Sequence, residues 1–176
     1  MSYDFELFRR RLDERRAPAG VPEGEEQQGA TEPFAALKLG SLSKDEVKRK
    51  LADLLISTHS AFREFEKDYK RIAQTRSITE AEARHRYSDI ELTDDEGLQV
   101  TLFDDTAAVT MPFWPNSEQR LRTAWECLKI LESAGLFSTY DQQIGRNLDL
   151  ECDFEVVRAS YIRANRIVNG TLRKRP

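Results

Sequence analysis

Residues 90–111 contain three short runs in which apolar and polar side chains alternate, and this spacing constrains the fold more than any other feature of the chain. Alternation with a period of two is typical of β-strands that have one buried face and one solvated face. Pairing apolar positions on the second and third runs gives one consistent antiparallel register: Leu102 with Ala107, Val100 with Val109, and Leu98 with Met111. This register leaves Asp104 and Asp105 as a two-residue hairpin turn.

The first and second runs pair in the same way, with Leu92 opposite Leu98 and Ile90 opposite Val100. The connection is then the five-residue loop 93–97, in which the glycine supplies a positive φ. A slip of one residue in either hairpin would place apolar side chains on both faces. The sequence therefore predicts an antiparallel β-meander of three central strands.

The amino-terminal residues show the same alternation, since Tyr3, Phe5 and Leu7 are separated by Asp4 and Glu6. This pattern predicts a short strand with one solvated face, which we expect to join the meander. Together with amphipathic helices, sequential hairpins indicate an α+β fold. We expect the helices to pack on the aliphatic face of the sheet.

Two capping boxes, Ser43 with Glu46 and Thr79 with Glu82, predict helix starts. After the first box, apolar side chains recur at three- and four-residue steps as far as Ile72, which predicts one helix of about thirty residues. The second box begins a short helix.

Two later helices are predicted from their caps and apolar stripes. The first begins at Asn116 or Ser117 and ends at Gly135. The second follows Asp153 and ends at residues 169–170.

The 176 residues suffice for one domain spanning 1–176. Residues 9–33 are rich in Pro, Gly and Glu without apolar periodicity, and we expect a mobile loop there and a flexible basic tail at 170–176. No signal-like amino terminus and no run of about 20 apolar residues is found. Cys127 and Cys152 lack motif spacing, which favours thiols in a reducing compartment, so we expect a cytoplasmic protein.

Charge is segregated along the chain, although the net charge is only −4. Residues 87–117 contain seven Asp and Glu residues and no Lys, Arg or His. If the meander is correct, these acids lie on fixed positions beside hydroxyl and amide side chains. The candidate partner-binding residues are Asp89, Glu91, Asp94, Asp95, Gln99, Thr101, Phe103, Asp104 and Asp105. Such a field favours a protein partner with a basic surface.

Two other interpretations of the acids remain open. A cation site is one, but Asp94 and Asp104 belong to turns at opposite ends of a strand, roughly 17–20 Å apart at ~3.3 Å per residue. Only Asp89 could approach Asp104 and Asp105, and turn chemistry accounts for Asp at these positions equally well. We therefore predict no metal and no cofactor. The other interpretation is a solvated sheet face that a helix partly covers.

An enzyme or small-molecule binder is the alternative functional class. Trp114, Tyr140, Asp141 and Arg146 lie where strands give way to helix or turn, and their side chains could line a site. However, no nucleotide-binding, metalloprotease or nucleophile motif is present, so we assign no catalytic residue. The basic runs lack aromatic side chains spaced for base stacking, and nucleic acid is not an expected partner.

The amino-acid sequence of residues 89–150 resembles that of a family of small uncharacterised bacterial proteins. The resemblance lies in DIELTDDEGLQVTLFDDTAAVTMPFWP and TYDQQIGRNLDL, and in the Met-Ser-Tyr-Asp start. Phe113 stands where that family has Tyr, and Gln142 where it has Pro. The resemblance implies a shared fold and a bacterial cytosolic setting, and it implies no reaction. With the acidic sheet, it leads us to expect an interaction protein of the immunity or antitoxin kind.

Overall fold

The computed structural model describes residues 2–10, 42–113 and 117–172. The helices and strands follow in chain order: β1 (Ser2–Arg9), α1 (Lys44–Thr58), β2 (Arg63–Glu64), α2 (Tyr69–Arg76), α3 (Glu80–Arg86), β3 (Ile90–Thr93), β4 (Gln99–Leu102), β5 (Thr106–Pro112), α4 (Ser117–Gly135), β6 (Phe137–Asp141), β7 (Arg146–Asn147) and α5 (Phe154–Leu172). The α+β class predicted from the sequence is confirmed. Neither a described helix nor any stretch of one is both long and apolar enough to cross a membrane.

The seven strands form one antiparallel sheet in the order β2-β3-β4-β5-β1-β6-β7. The amino-terminal strand β1 lies inside the sheet, where it pairs with β5 on one side and β6 on the other. The sheet extends beyond the predicted meander and its amino-terminal strand, because β2 is added at one edge and β6 and β7 are added at the other. Both edge strands are only two residues long, which limits the unpaired backbone groups offered to other chains.

One hydrophobic core joins the buried face of the sheet, which we call the inner face, to helices α1, α4 and α5. Phe5 and Val109, which are paired across β1 and β5, are fully buried there. Leu55 of α1 and Leu128 of α4 belong to the same core. Each large apolar side chain contributes roughly 1.5–3 kcal/mol of stability when it is removed from water. Burial of these side chains therefore determines which face of each strand points toward the helices.

The register of the second hairpin agrees with the prediction, since Leu102 pairs with Ala107 and Val100 with Val109. The register predicted for the first hairpin is wrong by two residues. Ile90 pairs with Leu102, and Leu92 with Val100. A shift of two keeps every aliphatic side chain on the same face, so the alternation itself cannot distinguish the two registers.

The single helix predicted from Ser43 to Ile72 is also wrong. Helix α1 ends at Thr58. Phe62 is then buried in the core, with 3% of its surface exposed, and the edge strand β2 follows before α2 begins. Arg63 and Glu64 pair with Thr93 and Leu92 of β3. Strand pairing therefore outweighs the local helical periodicity of this segment.

Several predictions fall on parts of the chain beyond the described residues. These are most of the loop 9–33, the last four residues of the tail 170–176, and Trp114. Two boundaries differ from the prediction, because β1 continues to Arg9 and α5 continues to Leu172. The two capping boxes are present as predicted, at Ser43 and at Thr79.

Candidate partner-binding face

The face of the sheet opposite the core, which we call the outer face, is formed by the side chains that alternate with core positions on β3, β4, β5, β1 and β6. Its members are Glu91, Thr93, Gln99, Thr101, Phe103, Thr106, Ala108, Thr110, Pro112, Ser2, Asp4, Glu6, Phe8, Ser138 and Tyr140. These side chains are half-buried or exposed, whereas their neighbours in sequence are mostly buried. Hydroxyl groups therefore predominate on this face.

Three carboxylates lie on the outer face, and none has an ion pair among the described residues. Asp4 accepts a hydrogen bond from the Ser2 hydroxyl at 3.0 Å, and Glu6 accepts one from the amide of Gln142. The Glu91 side chain has no hydrogen bond from a described residue. The strand positions that define the outer face include no Lys, Arg or His. Arg10, two residues after Phe8, nevertheless reaches this face, since it donates to the Ser138 hydroxyl at 2.7 Å.

Cross-strand pairing arranges much of this face in a row. Glu91 faces Thr101, Thr101 faces Ala108, Ala108 faces Glu6, and Glu6 faces Tyr140. A second row brings Thr93, Gln99, Thr110 and Asp4 together. At the sheet edge, Arg63 stands opposite Thr93 and places one base at the margin.

The acids of residues 87–117 are much less free than their sequence suggests. Four of them form ion pairs with bases that other elements supply: Asp89 with Lys67, Glu96 with Arg120, Asp104 with Lys48, and Asp105 with Lys44. Arg9 of β1 approaches Asp105 as well, at 3.8 Å. The fold thus pairs four of the seven acids with bases, and Glu91 of the outer face, Asp94 and Asp95 remain without an ion pair to a described residue.

Lys48 of α1 is the most buried of these bases, with 2% of its surface exposed. Its ammonium group lies 2.8 Å from the Asp104 carboxylate and 2.9 Å from Asp45, and it donates to the Ser88 carbonyl at 3.1 Å. Burial disfavours the charge, but these carboxylates outweigh burial and raise the pKa of Lys48. The hydrogen bond from Lys48 in turn lowers the pKa of Asp104. Lys48 therefore fastens α1 to the β4–β5 hairpin.

The turn acids at the other end of β4 have different surroundings. The Asp94 carboxylate accepts hydrogen bonds from the backbone N–H groups of Glu96 and Leu98, at 2.9 and 2.8 Å. This is the turn chemistry expected of Asp. Asp95 is exposed and has no ion pair with a described residue. The nine candidate residues thus separate into outer-face positions, one turn-capping acid, one exposed loop acid and three acids that are already paired.

The alternative ligand-binding residues are not brought together. Tyr140 lies on the outer face, whereas Asp141 is fully buried on the inner face and accepts from the Tyr3 hydroxyl at 2.8 Å. Asp141 also accepts from the backbone N–H groups of Gln143 and Ile144. Burial, reinforced by the Asp141 carboxylate, raises the pKa of Tyr3, so that the hydroxyl remains a donor. These contacts close the β6–β7 turn.

Arg146 is likewise committed to a structural contact. Its guanidinium group forms two hydrogen bonds of 2.7 Å with the Asp153 carboxylate, which ties β7 to the start of α5. This pairing, with a backbone hydrogen bond from Asp149, lowers the pKa of Asp153 to about 2. With Trp114 beyond the described residues, no assembled ligand site follows from this set.

Two concavities lie beside α3. One of about 430 Å³ lies between Phe65, Tyr69 and Arg84, and one of about 370 Å³ lies beside Lys48 and Phe103. The first is lined by charges that pair with each other, such as Arg84 with Glu80. Within the described ranges, no three His, Cys, Asp or Glu side chains are grouped so that they could hold a metal ion.

Sequence reasoning missed several outer-face residues. Asp4, Glu6 and Phe8 could have been found, because the alternation of β1 already placed them opposite the core. Phe65 could not, because it was assigned to the apolar stripe of the long helix. In the structure it is 54% exposed, and its N–H donates to the Glu91 carbonyl at 2.8 Å.

No family model matches this chain, and neither a curated protein nor a solved structure shows significant similarity to it. The resemblance to small bacterial proteins accordingly stays a prediction, and function has to be argued from the geometry.

Proposed function

We propose that this protein is a non-catalytic interaction protein that binds a basic surface of another protein through the outer face of its sheet. The observation that carries the proposal is the charge of that face. Asp4, Glu6 and Glu91 have no ion pair with a described residue, although Arg10 contacts Ser138 and Arg63 stands opposite Thr93 at the margins of the face. Four other acids of residues 87–117 are matched with Lys or Arg: Asp89, Glu96, Asp104 and Asp105.

The proposal includes the finer arrangement expected from the sequence, in which helices cover the aliphatic face of the meander and the polar face is left for a partner. A sheet face with fixed carboxylates and hydroxyl groups favours a cationic surface and speeds encounter with it. Within this proposal, the contact residues are Glu91, Gln99 and Thr101 of the original set, with Asp4 and Glu6 added.

An immunity or antitoxin protein is the functional class that agrees with these features. Such a protein covers the basic, substrate-binding surface of a toxin and needs no reaction chemistry of its own. The size of the chain and the absence of a catalytic motif from its sequence support this class. The partner would therefore be a basic enzyme, and binding would weaken with salt.

The test is affinity capture with the full chain from a lysate of its native cells, followed by expression of the captured protein and calorimetric titration. Glu91→Lys should weaken binding about tenfold or more, because it places a like charge against the partner. Raising salt from roughly 50 to 500 mM should weaken the wild-type complex as well, since charges at the rim of the interface are screened.

Asp53→Lys is the matched control, since Asp53 is exposed on α1 and the substitution changes the net charge equally. It should leave the dissociation constant within about twofold of wild type, because salt screens a charge that lies far from the interface. Equal effects of the two substitutions, or a complex indifferent to salt, would contradict the proposal.

A further inference from the structure

Among the described residues, three arginine side chains lie over aromatic rings. Their guanidinium carbons lie 4.7–5.4 Å from the ring centroids: Arg84 over Tyr69, Arg122 over Phe154, and Arg9 over Phe137. The first two also pair with a glutamate one helical turn earlier, Glu80 and Glu118 respectively. A planar guanidinium group can do both at once, because its face contacts the ring while its edge donates to the carboxylate.

The outer face carries two aromatic–carboxylate pairs in which no described residue places a guanidinium group over the ring, although Arg63 and Lys67 flank Phe65 in the sequence and Arg10 follows Phe8. Phe65 stands across from Glu91, in the register that pairs Glu64 with Leu92. Phe8 follows Glu6 by two residues on β1, so both side chains lie on the same face. The two rings are 54% and 47% exposed, so each has a face open to a partner.

We infer that the outer face binds arginine side chains of its protein partner, one stacked on Phe65 and paired with Glu91, and one stacked on Phe8 and paired with Glu6. This inference rests on the proposed function and specifies the chemistry of the partner. Each site would complete the arrangement that Arg84 and Arg122 already form within the chain. Lysine fits less well, because a compact, strongly hydrated ammonium group stacks poorly on a ring.

The sheet also sets the spacing of the two sites. Glu91 and Glu6 lie in one cross-strand row, with Thr101 and Ala108 between them. Three strand spacings of ~4.8 Å separate them by roughly 14 Å. Two arginines four residues apart in an extended segment span about 13 Å. A partner segment with that spacing would reach both sites.

The probe is therefore the peptide acetyl-Gly-Arg-Ser-Gly-Ser-Arg-Gly-amide, with a control peptide in which both Arg are replaced by Lys. Each is titrated into the ¹⁵N-labelled full chain, and amide chemical shifts report the site and the affinity. We expect shifts in β1 and β3, and binding of the arginine peptide about threefold tighter than the lysine peptide. Phe65→Leu should bring the two affinities close together.

Phe103→Leu is the matched control. Phe103 is 42% exposed on the same face, but the acid beside it in the continued register, Asp89, is already paired with Lys67. Its substitution should leave the arginine preference unchanged. Both variants replace an exposed ring, and thermal unfolding of each checks that the fold is intact.

The outcomes separate the inference from the proposed function. Equal binding of both peptides on the outer face, with no effect of Phe65→Leu, would overturn the arginine inference and leave the binding of a basic partner standing. Shifts absent from the outer face with both peptides would contradict the two together. An arginine preference that persists in Phe65→Leu and disappears in Phe103→Leu would show that the arginine stacks on Phe103. That result would overturn the inference.

Discussion

Lys48 shows at the scale of one residue why a charge pattern in sequence differs from a charge pattern in space. The ammonium group is buried, and two carboxylates and a backbone carbonyl surround it. A buried base of this kind is tolerated only because its partners offset the loss of hydration. Asp104, which the sequence suggested as a partner-binding residue, is therefore part of an internal contact between α1 and the β4–β5 hairpin.

Asp104→Asn should destabilise the protein by about 1–2 kcal/mol, because the buried ammonium loses a charge-assisted hydrogen bond and keeps a neutral one. Asp95→Asn is the control, since Asp95 is an exposed turn acid with no ion pair among the described residues. It should change the free energy of unfolding by less than about 0.5 kcal/mol. Urea unfolding measures both values, and equal values would mean that the Lys48 contact adds nothing to stability.

The β3–β4 hairpin shows at the scale of an element how a loop decides a register. The Asp94 N–H donates to the Leu98 carbonyl, and the Asp94 carbonyl accepts from the Gly97 N–H. The Asp94 carboxylate accepts hydrogen bonds from two further backbone N–H groups. Gly97 adopts a φ of +87°, which favours glycine. These bonds close the loop after Thr93 rather than after Leu92, and the strands pair two residues away from the predicted register.

Gly97→Ala should therefore destabilise the hairpin by about 1–2 kcal/mol, because a left-handed backbone is costly for alanine. The new Cβ would also lie 3.3 Å from the Pro112 ring. Gly145→Ala is a close control, since its φ is +78° but no atom lies within 4 Å of the added Cβ. Thermal and urea unfolding should show the larger loss for Gly97→Ala. The reverse order would show that the Pro112 contact is not restrictive.

At the scale of the whole molecule, ion pairs join elements that are distant in sequence. Lys48 connects α1 to the β4–β5 hairpin, Arg146 connects β7 to Asp153, and Arg158 connects α5 to Glu118 of α4. In each pair the hydrogen bonds that the base donates lower the pKa of the carboxylate below its usual range. The unfolded chain lacks these contacts, so its carboxylates have ordinary pKa values near 4.

Stability should consequently depend on pH on the acid side. As the pH falls below about 4.5, the unfolded chain binds more protons than the folded protein, so the free energy of unfolding decreases. The contribution of Asp153 is complete above its ordinary pKa and is lost down to its folded pKa of about 2. Asp153→Asn should flatten the decline between pH 4.5 and 2, whereas Asp95→Asn should not. Urea titrations at several pH values in this range measure the free energy of unfolding. If its decline with falling pH were as steep in Asp153→Asn as in wild type, the assignment would be contradicted.

Features that depend on neighbouring residues could be predicted from the amino-acid sequence alone. Alternation along β1, β4 and β5 assigned the faces of these strands, because successive side chains of a strand point to opposite sides. The two capping boxes located the starts of α1 and α3, because a cap is completed within four residues. These signals were enough to predict the α+β class and part of the polar face.

Contacts between residues far apart in the chain depend on the folded arrangement of the elements. The apolar stripe after Thr58 is compatible with a helix, but Arg63 and Glu64 pair with β3 as a short strand and Phe65 is exposed. The acids of the meander look unpaired until Lys44, Lys48, Lys67 and Arg120 reach them from other elements. Ion pairs and long-range strand registers join residues that are far apart in the chain, so no local pattern contains them. The carboxylates that remain on the outer face could be identified only after those pairs were known.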